Sequence, residues 1–260
     1  MPGTTATTTD APELGRLLAL ERRVDAGACE RAEPHPLGLV LRTPSLASFW
    51  ALNSLLVERP RPGLDGGALT RELERLYGAD ATLRAVVTDE ATGERLAAAA
   101  APLEATREVV MVQRRAPDRA PQPGVARAAG EEELRAAEAA LLRDDGLDAT
   151  TAAIVQAGRA RMRAAAPAVV RAVAAADGRD VATATVYHDG FTALIADVAT
   201  LRAARGRGLA RAAMGVCADA ARAAGCDVVG LTADAGDWPR ELYAKLGFVV
   251  VGHIWSFMRV

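Results

Sequence analysis

The sequence predicts an α/β fold in which a mixed central sheet is flanked by helices, arranged as two similar-sized domains in tandem. Three observations predict it. The chain has 260 residues, more than one small domain needs. Short apolar runs alternate with stretches whose apolar residues recur at helical spacing. Residues 114–123, rich in arginine, proline and aspartate and without apolar period, read as a linker. The domains so defined are 13–113 and 124–260, after a threonine-rich stretch, 1–12, that reads as disordered.

In the first domain, residues 37–41, 83–88 and 109–112 are apolar runs of strand length. Between them, 69–77 places Leu69, Leu73 and Leu76 on one helical face with charges opposite. A second helix is expected over 93–103, ended or kinked near Pro102. A flexible piece, 59–67, carries two prolines and three glycines.

The second domain opens with helices expected over 131–143 and 149–163. Strands follow at 168–174 and 181–187, joined by Asp177-Gly178, a dipeptide whose second residue accepts the left-handed backbone of a tight hairpin. His188-Asp189-Gly190 makes another turn into a strand over 191–201. A helix over 208–224 stops at Gly225. Then come a strand at 228–232, a helix at 238–246 with Asp237 as its cap and Pro239 in its first turn, and a strand at 248–251 that pairs with 255–260. The order is helices, an antiparallel meander, then β-α-β-α-β.

Composition narrows the function classes. Half the residues are apolar, much of that alanine, so helices pack closely and the larger core side chains come from strands. A net charge of -2, with basic and acidic residues interleaved, argues against nucleic acid as a partner. Cys29, Cys217 and Cys226 are odd in number with no C-x-x-C pair, and His35, His188 and His253 lie far apart, so nothing supports a disulfide framework or a metal. The N-terminus lacks a secretory pattern and no apolar run is long enough to span a bilayer, so a cytoplasmic protein without a membrane partner is expected.

The chemistry concentrates in Arg205-Gly206-Arg207-Gly208-Leu209-Ala210, between an apolar strand and the helix over 208–224. Glycines let the chain turn sharply and let a ligand reach the backbone. The freed amides sit at a helix N-terminus, where the dipole favours negative charge, and two arginines add charge-assisted donors. This is a phosphate or pyrophosphate site. A dinucleotide fold would need a third glycine where Arg211 stands, and an acid at the end of the next strand rather than Asp227 at its start.

The same loop resembles the pyrophosphate signature of the GNAT acetyltransferases: arginine or glutamine, two residues, glycine, one residue, then glycine or alanine. Arg205, Gly208 and Ala210 hold those places. Further on, Leu242-Tyr243-Ala244-Lys245-Leu246-Gly247-Phe248 resembles the end of a GNAT domain, where a tyrosine-bearing helix stops at glycine before a phenylalanine-led strand. The resemblance covers about the last 135 residues and is strongest over the last 70.

It implies acetyl-CoA as co-substrate, without a metal, held where the strands at 191–201 and 228–232 splay apart. Backbone at Arg205, Gly206, Arg207, Gly208, Leu209 and Ala210 would take the pyrophosphate, and an amide among Val198, Ala199 and Thr200 would polarise the thioester carbonyl. Tyr243 is the candidate general acid, since an ordinary phenol, with a pKa of about 10, is protonated at neutral pH; simple packing against the thiol arm is the alternative. The family's frequent glutamate base falls on Ala196. Neighbouring Asp197 would serve if a bulge re-aims it; otherwise a water chain or His188 would. The asparagine often found before the tyrosine helix is replaced by Gly236 and Asp237. Cys217 and Cys226 read as core, and Trp238 and Trp255 as core, rim or acceptor-pocket lining.

The first domain could be a second, degenerate GNAT-like unit, as in tandem acetyltransferases. At the strand-to-helix turn taken as comparable, Asp89-Glu90-Ala91-Thr92-Gly93 sets two acids where pyrophosphate would sit. This half is expected to pack on the other and shape the acceptor site. The leading function is an N-acetyltransferase acting on a small-molecule or peptide amine, as monomer or homodimer. The alternative is a non-catalytic acyl-CoA sensor or regulatory module, favoured by Ala196 as Tyr243 favours the enzyme.

Overall fold

From Leu14 to Ala28 every third or fourth position is apolar and buried (Leu14, Leu17, Leu20, Val24 and Ala28), and this stripe makes α1 (Pro12–Ala28), which was not anticipated. The computed structural model describes residues 12–99, 102–236 and 239–259, so the 1–12 stretch, Pro12 excepted, lies outside the described residues. A hairpin of β1 (Arg31–His35) and β2 (Gly38–Arg42) follows, then two 3₁₀ turns and β3 (Leu55–Val57). Next are α2 (Gly66–Tyr77), β4 (Leu83–Val87), α3 (Glu90–Ala98) and β5 (Glu104–Gln113). The helix expected over 93–103 thus begins three residues earlier, because Asp89 caps it by accepting from the Thr92 amide at 2.8 Å.

The second half runs β6 (Ala126–Ala128), α4 (Glu131–Asp144), α5 (Ala149–Ala165), β7 (Ala168–Ala176), β8 (Arg179–His188), β9 (Thr192–Thr200), α6 (Leu209–Ala223), β10 (Val228–Asp234), α7 (Pro239–Lys245) and β11 (Phe248–Arg259). The hairpin after β7 turns through Asp177 and Gly178, both at positive φ. β11 corrects the expected closing hairpin. It is one strand of 12 residues with a bulge at Val251; β5 pairs with it from Phe248 to Met258 and β4 pairs with its other edge from Trp255 to Arg259, so its two parts do not pair with each other. Asp237 and Trp238 lie outside the described residues.

All strands join one sheet, in the order β1-β2-β3-β4-β11-β5-β10-β9-β8-β7-β6. Only β3–β4 and β9–β10 pair in parallel, and each of these pairs is joined through a helix, α2 or α6. The order reads the same from either side of the central β11–β5 pair when β1 to β5 are exchanged with β7 to β11. The halves are therefore two copies of one strand plan, related by a pseudo-twofold axis, and each gives its last strand to the other. β5 fills the place beside β10, and β11 the place beside β4.

Side-chain alternation assigns the faces. Leu194, Val228, Val110 and Val86 point to the face covered by α1. Ile195, Leu231 and Met111 point to α6, and Ala85 and Val87 to α2 and α3. On the α1 face Gly27 nearly touches Ala165 of α5 (3.2 Å from an added Cβ), so α1 of the first half and α5 of the second approach closely. α1 also seats on glycines of the sheet: a Cβ at Gly230 would collide with Leu17, and one at Gly252 would lie 2.5 Å from Leu14. Burial of Leu14, Leu17 and Leu20 contributes about 2 kcal/mol each and ties the first half to strands of the second. No helix among the described residues is long and apolar enough to cross a membrane.

Candidate active site

The parallel pairing of β9 with β10 runs from Thr192↔Val228 to Ile195↔Leu231 and ends there. Beyond it β9 continues against β8 alone, leaving its β10-facing edge open from Ala196 onward. A 3₁₀ turn (Arg202–Ala204) then leads into the glycine loop. Gly206 and Gly208 have φ of 76° and 79°, and an added Cβ at either would meet nothing within 4 Å. Backbone conformation, not crowding, is what requires glycine there. Gly208 stands at the N-cap of α6 and no side chain caps the helix. Its first amides are left to a ligand or water, at the positive end of a helix of 15 residues.

The open strand edge, the loop and α7 enclose a pocket of about 330 Å³. The structure brings Val198, Ala199, Thr200, Arg205, Gly206, Gly208, Leu209, Ala210 and Tyr243 together on its wall. Arg207 is not on it; its guanidinium pairs with Asp177 of the β7–β8 hairpin at 3.0 Å. Arg205 Nε donates to the Thr200 carbonyl at 3.2 Å, closing the loop on the strand it leaves. Tyr243 is 8% exposed and meets Phe248 edge to face at 6.3 Å.

Two lining arginines escaped the sequence reading, as did Leu141, Asp145 and Ala204. Arg119 comes from the segment read as a linker, and Arg211, from the first turn of α6, is buried and paired with Asp118 at 2.6 Å. The segment is held in place: Arg114 and Arg115 donate to the Gly247 carbonyl and Asp118 to that of Lys245. Gly247 is needed for this approach, since any Cβ there would run into the Arg115 carbonyl. The density of arginine beside the α6 N-terminus was the available signal.

Asp197 sits on a β-bulge. Thr183 pairs with Ala199 and Thr185 with Ala196, so Ala184 faces two residues, and Asp197 has φ of 53°. The bulge re-aims it to the α1/α5 side, which Ala196 also faces. There its carboxylate takes Arg159 Nε at 2.9 Å and the Tyr187 hydroxyl at 3.4 Å. Behind it lies a buried charge network: Glu138, fully buried, holds Arg163 at 3.0 Å, and Arg163 also holds Glu131 at 2.8 Å. Burial pushes the Tyr187 phenol well above its usual range, with Asp197 adding to the shift. Asp197 does not line the pocket.

His188 lies at the other end of the hairpin, paired with Ala193. Three residues of strand, about 10 Å, separate that position from Ala196. Trp255 packs under α3, where a Cβ on Gly93 would strike its ring, and stacks on Phe257 at 6.3 Å, so it is core. Cys217 and Cys226 are buried, and burial pushes the Cys217 thiol up to about 12. Among the described residues no cluster of three or more His, Cys, Asp or Glu forms a metal site.

The pseudo-dyad corrects one comparison made from sequence. Asp89–Gly93 belongs to the β4-to-α3 turn, whose counterpart is the β10-to-α7 turn. The counterpart of the glycine loop is the turn from β3 to α2, residues 58–65. There Asp65 caps the helix itself, accepting from the Ala68 amide at 2.7 Å.

Comparison with known proteins agrees with this geometry. No curated protein matches the sequence. Among solved structures, a GCN5-related N-acetyltransferase from Kribbella flavida shares 21% identity over 93% of this chain and 95% of that one, with a TM-score of 0.61. A functionally unknown conserved protein from Staphylococcus epidermidis shares 14% over 85% and 90%, again at 0.61. A tandem GNAT protein from the clavulanic acid biosynthesis pathway shares 17% over 97% and 96%, at 0.54. At such identities the likeness is one of fold, and it extends across both halves. The model of the acetyltransferase (GNAT) family matches residues 134–248. The splayed strands, the uncapped glycine loop and the tyrosine-lined pocket all fall within or beside residues 134–248, the part of the chain that is similar to the GNAT acetyltransferase family model.

Proposed function

We propose that the protein is an N-acetyltransferase that moves the acetyl group of acetyl-CoA to a primary amine by direct attack. The observation that carries this is the uncapped α6 N-terminus, with two glycines at positive φ, opening on the same pocket as Tyr243 and the free edge of β9. The donor set fits a pyrophosphate: undonated amides at a helix N-terminus, with Arg205, Arg119 and Arg211 around them. The thiol arm would run along the edge at Val198, Ala199 and Thr200, where a main-chain amide stabilises the oxyanion as the amine attacks. Tyr243, on the pocket wall, supplies the proton to the departing sulfur. Asp197, re-aimed by the bulge but held by Arg159, acts by fixing the bulge and Tyr187 rather than by accepting the acceptor's proton. In this reading 13–113 is a second GNAT-like unit without a pyrophosphate site and 124–260 the catalytic one.

Calorimetric titration of acetyl-CoA into the wild type and Gly208→Glu tests this. Saturable binding lost in the variant is expected; no binding to the wild type would sink it. The sensor reading rests on Ala196 in the usual base position. Tyr243→Phe separates the two: an enzyme loses about 10²-fold in turnover with acetyl-CoA affinity unchanged, measured as thiol release.

A further inference from the structure

The face of the sheet opposite the pyrophosphate loop carries a group of charges that the fold does not use. α1 begins over the amino ends of β9 and β10, where Arg16 bonds Thr192 at 3.0 Å and Asp227 at 2.5 Å. Leu17 then sits on Gly230 in the middle of β10. One turn later Glu21, and another turn later Asp25, face the sheet over its centre. Below them Glu108 of β5 pairs across to Asp234 at the carboxyl end of β10, on the side where β9 and β10 have parted. Arg84 of β4 completes the group.

These side chains keep some contact with solvent yet are closely surrounded by protein, the situation of groups on the walls of a narrow cleft. Among the described residues Glu21, Asp25, Glu108 and Arg84 make no side-chain hydrogen bond or ion pair. The enclosed guanidinium of Arg84 lies 4.6 Å from the ring of Trp50, itself 43% exposed, and shares its charge with three carboxyls without closing on any. A structural network satisfies its charges, as Glu131, Glu138 and Arg163 do a short distance away. This group does not, and polar groups enclosed without partners carry a cost that a ligand can relieve.

We infer that this cleft receives the acetyl acceptor, that the acceptor is a dicationic amine, and that Glu21 takes the proton from its attacking ammonium. The inference rests on the acetyltransferase reading above. Three carboxyls against one guanidinium leave room for two positive charges, and Trp50 offers an aromatic face at the rim. The electrostatics fit a group that must pick up a proton near neutrality. Burial, with Glu108 adding to it and Arg84 opposing it, moves the Glu21 carboxyl up to about 7. Asp25 is raised well above its usual range, by burial and then by Glu21, and Glu108 is raised by burial, with Arg84 opposing and Asp234 adding to the shift. Cys29 and Tyr187 are the other titratable groups within reach of Asp25.

In the transfer the ammonium gives one proton to Glu21, and the freed nitrogen attacks the thioester carbon. The carbon–sulfur bond breaks and sulfur leaves with a proton from Tyr243. The second amine proton, shed once the carbon–nitrogen bond has formed, restores Tyr243 through solvent, and Glu21 returns its proton to bulk water.

The test is calorimetry of a linear four-carbon diamine into the CoA-saturated protein, in buffers of differing ionisation enthalpy between about pH 6 and 8. Saturable binding with proton release is expected, because a bound dication favours the ionised carboxyls, and affinity should rise about 10-fold with pH across neutrality. Glu21→Gln should lose most of that release and about 10-fold in diamine affinity, leave acetyl-CoA affinity unchanged, and lower diamine acetylation at least about 100-fold. Glu108→Gln, on a strand, should weaken the diamine likewise without depending on the folding of an altered α1. Equal binding of the four-carbon monoamine and the diamine would overturn the inference, as would a Glu21→Gln protein with unchanged rate and proton release. Loss of acetyl-CoA binding by the wild type would instead overturn the acetyltransferase reading, so the two failures are distinguishable.

Discussion

The turn from β3 to α2 and the turn from β9 to α6 occupy equivalent places about the pseudo-dyad, yet only one is open. Each leaves a strand that pairs in parallel with the strand after its helix. Each enters its helix through glycines, Gly66 and Gly67 in one, Gly206 and Gly208 in the other. At α2 a carboxylate from Asp65 has taken a helix amide and put a negative charge where a phosphate would approach. At α6 the cap is a glycine with φ of 79° and no side chain, so the helix leaves its own end unsatisfied. An open end and a capped end of a helix differ here by one side chain. The rest of each unit reflects the choice: α2 is braced by charges, Glu72 holding Arg75 at 2.5 Å and His35 at 2.8 Å, whereas α6 packs through alanines and Cys217.

The comparison breaks most directly if the C-terminal loop is made like its counterpart. Gly208→Asp should lower acetyl-CoA affinity at least 1,000-fold, about 4 kcal/mol, by calorimetry, and the wild type should bind one acetyl-CoA per chain. A stoichiometry of two would mean that Asp65 does not close its turn.

Next in size is the seam. Leu17→Ala should cost about 3 kcal/mol by denaturant unfolding and leave one cooperative transition, since Leu17 packs on Gly230 of the other half. Two separate transitions would show that the strand exchange does not couple the units.

A smaller effect concerns how α2 is held. The Arg75 guanidinium, and then His35, bring the Glu72 carboxyl down to about 2 from an ordinary 4.5. Because the folded value is the depressed one, this stability is present above about pH 4.5 and lost as pH falls toward 2. Glu72→Gln should therefore lower stability by about 1 kcal/mol at neutral pH, after allowance for solvent screening, and by nothing near pH 2. Smallest is Asp65→Ala, expected to cost about 1 kcal/mol of stability with acetyl-CoA affinity unchanged. An affinity that changed would place this turn in contact with the cofactor site.

How far the sequence could be read follows from how local each feature is. The glycine loop was legible because φ preference, helix dipole and arginine spacing are local, and those residues do meet on one pocket, Arg207 excepted. Asp197 was open between two faces, and only the register of β8 against β9 shows the bulge that turns it toward Arg159. β11 read as two strands, 248–251 and 255–260, pairing with each other across residues 252–254. It is a single strand, since β5 pairs along it from Phe248 to Met258, β4 takes the free edge of 255–259, and Gly252 is needed beneath Leu14.

By itself the sequence determined that this chain alternates strands and helices in two similar halves, that its second half presents a pyrophosphate-type loop, and that Tyr243 follows at the spacing of an acetyltransferase. The first two are matters of backbone preference or periodicity within some 20 residues, and the third rests on the resemblance to GNAT acetyltransferases. The tertiary structure alone decided that the halves exchange their last strands into one sheet, that Arg119 and Arg211 join the pocket, and that Leu17 of the first half seats on Gly230 of the second. Those outcomes depend on pairings between residues more than 80 positions apart. Such pairings are fixed by packing and the closure of the sheet, about which no local pattern carries information.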